Sequence, residues 1–190
     1  AHTFSKGSRI RVAVSNAFWP VIWPSPRPVK LTLFSGASIL TMPTCKERIE
    51  DTTLSSFSPP RQSRPHERTT LREADSMEGE ITTNVATGMQ TWRYTMDTGL
   101  IRLEPHGWTM SASGENCYHI HPDDPNSARM ELQTTDTYFR EGWLDVRIEA
   151  GHTLTSDEAH FIIDATIEVY ENDEKVFERE WHERIVRDGV

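Results

Sequence analysis

The chain has 190 residues, of which 36% are hydrophobic and 26% charged, and a formal net charge of -9; its mean hydropathy is -0.59. This length suits one domain, or one domain with an appendage, and six Trp, seven Phe and four Tyr supply apolar material that excludes wholesale disorder. The acidic balance argues against a nucleic-acid binder, which needs a basic face, and no apolar run approaches the roughly 18–20 residues of a membrane-spanning helix.

A start on Ala1 in place of Met is what a processed or excised piece would show. Arg9-Ile10-Arg11-Val12-Ala13-Val14 alternates polar and apolar residues, the period of a half-buried strand. Val29-Lys30-Leu31-Thr32-Leu33-Phe34 repeats the pattern. Between them Pro20, Pro24, Pro26 and Pro28 exclude both a helix and a central strand. That segment also carries Phe18, Trp19, Ile22 and Trp23, so it is expected to lie packed down. Phe18, Trp19 and Trp23 are the leading candidates for a substrate-lining or interface surface, because rigid aromatics in a loop either fasten it to a core or stack on a ligand such as a sugar ring.

Residues 45–75 shift in composition. Ser55 to Pro65 holds three prolines and no hydrophobic period, which predicts a linker or a wrapping loop. A short helix at 45–49 or 66–74 is conceivable, although neither stretch has an apolar stripe. Charge divides near the same place: residues 1–75 carry 11 Lys/Arg against 6 Asp/Glu, and residues 76–190 carry 9 against 23. The plain explanation is that long exposed strands carry many solvated carboxylates.

From residue 80 onwards the pattern is almost entirely strand. Segments 80–87, 90–97, 100–104, 108–113 and 115–121 are separated by turn signals, including Gly99, Pro105-His106-Gly107 and Gly114. Four longer alternating segments follow, at 127–140, 142–155, 158–171 and 174–187. Leu144, Val146 and Ile148 oppose Asp145, Arg147 and Glu149; Phe161, Ile163, Ala165, Ile167 and Val169 oppose Asp164, Thr166 and Glu168. The short connections Glu141-Gly142, Ser156-Asp157 and Asn172-Asp173 suit hairpins. The expectation is therefore an all-β fold, antiparallel, with a partial jelly-roll or β-sandwich followed by a long-stranded meander that is apolar on one face and charged on the other. The corresponding division is 1–44 for closing sandwich strands, 45–75 for the linker and 76–190 for the meander.

Motifs of catalysis are missing: there is no Gly-x-Ser-x-Gly elbow, His-Glu-x-x-His or phosphate loop. No catalytic residue is therefore nominated and no cofactor is expected. Cys117, His119, His121 and Asp123 recur at alternate positions, and thiolate, imidazole and carboxylate are zinc ligands. Alternate strand residues lie about 7 Å apart and Pro122 interrupts the run, so Cys117, His119 and His121 are weak metal candidates and a polar edge strand is the plainer reading. A Cys117–His119 nucleophile and base pair meets the objection that reactive thiols favour electropositive surroundings. The two cysteines, Cys45 and Cys117, make no disulfide framework and are read as free thiols in a reducing cytoplasm.

One resemblance adds to this reading. Phe4-Ser5-Lys6-Gly7-Ser8-Arg9-Ile10-Arg11, followed by Trp19-Pro20-Val21-Ile22-Trp23-Pro24-Ser25-Pro26, resembles the C-terminal domain of the X-prolyl dipeptidyl-peptidase and cocaine-esterase type hydrolases. Leu40-Thr41-Met42-Pro43 fits the end of the next strand in that pattern. Asp124-Pro125-Asn126-Ser127-Ala128 and Val176-Phe177-Glu178-Arg179-Glu180-Trp181 are similar to parts of a C-terminal extension of predicted acyl esterases. The resemblance implies a jelly-roll accessory domain joined, in cis or in trans, to an α/β-hydrolase that carries the Ser, Asp and His triad. It implies no triad residue in this chain. Because the matching region holds mainly closing strands, unsatisfied edges and self-association are expected. The alternative function is a stand-alone carbohydrate or small-ligand binding module using Trp19 and Trp23.

Overall fold

In the computed structural model, residues 3–44 and 48–188 are described. Nine strands run in chain order: β1 Arg68–Arg72, β2 Glu78–Thr83, β3 Gln90–Asp97, β4 Leu100–Leu103, β5 Trp108–His121, β6 Asp124–Arg140, β7 Leu144–Ser156, β8 His160–Glu171 and β9 Glu174–Val186. All nine belong to one antiparallel sheet ordered β1-β4-β5-β6-β7-β8-β9, with β3 also pairing β5 and β2 pairing β3. The all-β, antiparallel expectation holds, and β5 to β9 form the long meander. Among the described residues there is no α-helix, only a 3-10 helix at Ile49–Thr53, and no helix long and apolar enough to cross a membrane.

Hairpin geometry follows from the turn residues. Asn172 and Asp173 both take positive φ, 50° and 64°, as a two-residue hairpin turn requires, and Gly142 does so at 69° in the β6–β7 connection. Three expectations are corrected. Gly114 is no turn: β5 runs through it, and an added Cβ would lie 2.7 Å from the Gln133 carbonyl oxygen, so glycine there permits close approach to β6. Residues 66–74 contain β1 where a helix was conceivable, because Thr69 and Thr70 find the edge of β4. Segments 9–14 and 29–34 form no ladder. Alternation specifies which face a strand would bury; it does not supply the neighbouring strand. The other helix candidate, 45–49, lies largely outside the described residues, as does Cys45.

The chain divides into two compact units. One comprises Ala1–Asn16 and Lys30–Pro65. Its described part contains tight turns, such as Ser8 N donating to the Ser5 carbonyl at 3.0 Å and Ala37 N to the Phe34 carbonyl at 2.9 Å, and its alternating residues Ile10, Val12, Leu31 and Leu33 are exposed. The other comprises Ala17–Val29 and His66–Val190. The proline-rich segment thus belongs with the meander and not with the strand candidates that flank it in sequence.

Within the sheet unit, register separates the two faces. Directly opposed residues share a face, so Arg93, Cys117, Glu131, Thr153, Asp164 and His182 form one polar row across β3 to β9. The reverse face carries Trp92, Tyr118, Met130, Leu154 and Ile163 in one row, and Tyr94, Asn116, Leu132, His152, Ala165 and Trp181 in the next. The acidic excess of the C-terminal part therefore decorates a solvated face. Burial is shallow: among the described residues Ala128 alone is a buried hydrophobic, at 1% exposure.

Candidate functional site

The proline-rich segment Ala17–Val29 lies on the apolar face and is held there by rings and carbonyls. Its backbone folds back on itself, with Ile22 N donating to the Phe18 carbonyl at 2.8 Å. Trp19 meets Trp23 edge to face at 5.0 Å and Tyr118 of β5 at 6.1 Å. Trp23 reaches Phe161 of β8 at 5.9 Å. Tyr118 in turn stacks on Tyr94 and tilts against Trp92. These edge-to-face pairs suit the ring quadrupole and add to the area they bury. Desolvation, then the hydrogen bond with Tyr94, pushes the Tyr118 phenol up to about 12.

Polar contacts fix the segment in register. The Trp23 indole N–H donates to Ser156 Oγ at 2.8 Å. Arg187, 8% exposed, donates to the same oxygen at 3.0 Å, to the Asp157 carbonyl at 3.1 Å and to the Pro24 carbonyl. Its guanidinium also lies over the Phe161 ring at 4.9 Å. Prolines offer carbonyls without N–H donors, so a buried, five-donor guanidinium is a suitable clasp. Asn126 Nδ2 adds a bond to the Pro26 carbonyl at 3.0 Å, and Arg27 faces Glu158 at 3.6 Å.

This clasp sorts the three aromatic candidates. Trp19 and Trp23 are half-buried against the sheet, whereas Phe18 is 61% exposed. The expectation that the segment lies packed down is thus met by the two indoles and corrected for Phe18 and Ile22, which with Val21 are exposed because the backbone folds back and turns only one side of the segment to the sheet. The segment therefore turns its indoles inward and presents an apolar tip of Phe18, Val21 and Ile22. The two indole planes cross at 81°, so they do not make a coplanar ledge for a sugar ring. The sequence also left Arg187, Ser156 and Phe161 unmarked as partners of this segment. They lie more than 130 positions downstream, and the only local signal is that a half-buried indole N–H needs an acceptor.

The polar face carries an open hollow of about 360 Å³ lined by Glu115, Cys117, Glu131, Asp164 and His182, among others. Gly151 leaves space between Gln133 and Thr166 in the adjoining row. The hydrogen bond from Arg93 holds the Glu115 carboxyl below its ordinary range, and Arg129 does the same for Glu131. Both are therefore anions, unsuited to a general acid, which needs a raised pKa. Burial, then the Glu115 hydrogen bond, pushes the Cys117 thiol up, away from a reactive thiolate.

The weak metal candidates are not gathered. Cys117 points its thiol to Glu115 at 3.6 Å. His119 Nδ1 meets Thr91 Oγ1 at 2.9 Å and its Nε2 faces Glu131 at 3.4 Å. A register shift follows, and His121 Nδ1 accepts from the Asp123 amide at 3.2 Å. Cys117 and His119 do not hydrogen-bond each other as a nucleophile and base pair would. Among the described residues no group of three or more His, Cys, Asp or Glu could hold a metal ion.

Comparison with known proteins found no matching family model, curated protein or solved structure.

Proposed function

We propose that this chain is a non-catalytic accessory module of a serine α/β-hydrolase of the acyl-esterase or X-prolyl dipeptidyl-peptidase type, and that it packs on and stabilises the catalytic unit. One observation carries the reading. The proline-rich segment is clasped to the sheet by Trp19, Trp23 and Arg187 while it holds Phe18, Val21 and Ile22 outward. A rigid loop with an apolar tip suits docking to another folded surface, since little ordering entropy remains to be lost. The motif that resembles the accessory domain of those hydrolases spans this same segment. The hollow on the opposite face supports the non-catalytic part, because its Glu115 and Glu131 carboxyls are held below their ordinary range by Arg93 and Arg129 and burial pushes its Cys117 thiol up.

Turnover by the purified chain tests this directly. With p-nitrophenyl acetate and with an X-Pro-nitroanilide, the expected rate is that of the buffer blank. A rate well above the blank that co-purifies with the chain and is abolished by a serine-directed inhibitor contradicts the assignment.

A further inference from the structure

β9 forms one end of the sheet: it pairs with β8 on one side and with no other strand of the sheet. All thirteen of its residues are exposed except the half-buried Trp181. A free edge of this length is a template for another strand unless something guards it.

Its sequence has a particular order. Reading outward from Trp181 in both directions, Glu180 stands opposite His182, Arg179 opposite Glu183, Glu178 opposite Arg184, Phe177 opposite Ile185 and Val176 opposite Val186. Three couples join acidic and basic residues, and two are apolar. From 177 to 185, residues equally distant from Trp181 also lie on the same sheet face, because side chains alternate with period two. An antiparallel copy rotated about an axis through Trp181, perpendicular to the sheet, keeps each face on its own side. It therefore sets each residue of 177–185 other than Trp181 against a complementary one; at Val176 the β8–β9 register shifts, so the outermost couple lies beyond the regular pairing.

We propose that β9 is a self-complementary edge that pairs antiparallel with β9 of a second copy of this chain about a two-fold axis at Trp181, joining the two sheets into one. Such an interface is isologous, with each couple occurring twice except at the axis. Trp181 meets its own counterpart there. Arg179 already lies over the Trp181 ring at 4.8 Å, which places its guanidinium beside the axis.

Existing contacts are compatible with this pairing. His182 bonds Asp164 at 2.7 Å and Arg184 bonds Asp157 at 2.9 Å, both partners lying on the chain's own side of the edge. Lys175 reaches Glu178 at 2.9 Å, so Glu178 would be shared with the copy's Arg184. Charges on the apolar face of an edge strand are often a guard against association. Arg179 and Glu183 sit there, in register with Ile167 and Ile163. Their opposite signs at mirrored positions fit a copy, whereas a guard of one sign would repel it.

The test uses charge reversal in the full chain, read by sedimentation and native mass spectrometry. Wild type is expected at twice the 21.8 kDa chain mass. R179E and E183R each place like charges opposite one another and are expected to weaken the dimer about tenfold or more. Mixed in equal amounts they are expected to form a heterodimer, and the R179E/E183R double variant is expected to recover the homodimer. In wild type alone, amides of residues 177–185 are expected to gain protection from hydrogen exchange as concentration rises, while those of β2 do not. A monomeric wild type, single variants that dimerise as wild type does, a mixture that fails to pair, or β9 protection independent of concentration would each overturn the proposal.

Discussion

His182 is the exposed histidine whose environment most clearly favours its charged form. The hydrogen bond with Asp164, at 2.7 Å, outweighs desolvation and holds the imidazole above its ordinary value of 6.5. Raised in the folded state, this pKa makes the pair's contribution to stability complete below the unfolded value. That contribution is lost as pH rises through the folded value. The expected outcome is an NMR titration in which His182 retains its proton to higher pH than an unfolded-chain histidine. In the Asp164→Asn variant the midpoint is expected to fall back towards the ordinary value. An unchanged midpoint would show that Asp164 is not the cause. Arg187 illustrates the opposite balance: burial lowers its pKa, yet a guanidinium remains charged at any ordinary pH. The clasp it forms over Pro24 and Ser156 therefore does not depend on pH in the way the surface pair does.

At the scale of elements, Gly114 sets how closely two long strands meet. A side chain there would press on the Gln133 carbonyl oxygen at 2.7 Å and on Thr134 at 3.3 Å, and backbone cannot yield as a flexible side chain can. Gly114→Ala is expected to lower the unfolding free energy by about 1–3 kcal/mol, measured by urea denaturation. Neutral or increased stability would show that β5 and β6 separate at little cost. The same glycine shows where sequence reading reaches its limit. Alternation located β3 and the four long strands β6 to β9 within a few residues, since a half-buried strand repeats its polarity every second position. Glycine carries no sign of whether it turns the chain or lets two backbones approach. Segments 9–14 and 29–34 fail differently: their pattern is strand-like, but the ladder depends on a neighbour that local sequence cannot encode. At the site, Trp19 and Trp23 were legible as packing aromatics from their proline-rich setting. Which rings faced inward, and that Arg187 closes over them, depended on contacts across most of the chain.

At the largest scale, the sheet unit buries little of itself: among its described residues Ala128 alone is a buried hydrophobic. Its polar face is solvated by paired charges such as Arg93 with Glu115 and Arg129 with Glu131. Its apolar face is held at one end by the proline-rich segment, while residues such as Trp92 and Phe177 on that face stay exposed. Contiguous exposed apolar surface is characteristic of interaction sites. The accessory-module reading and the β9 pairing use different parts of this unit, the loop tip in one case and the sheet edge in the other. Each can fail without the other.

The central claim, docking through the loop tip, is measured most directly by calorimetric titration of the chain into an acyl-esterase catalytic domain expressed without its own C-terminal domain. Saturable binding is expected, with a negative heat-capacity change from apolar burial, and the Phe18→Asp/Ile22→Asp variant is expected to weaken it by at least about a hundredfold, as loss of central apolar anchors does. Binding of equal strength by that variant, with its sheet intact by circular dichroism, would contradict the account.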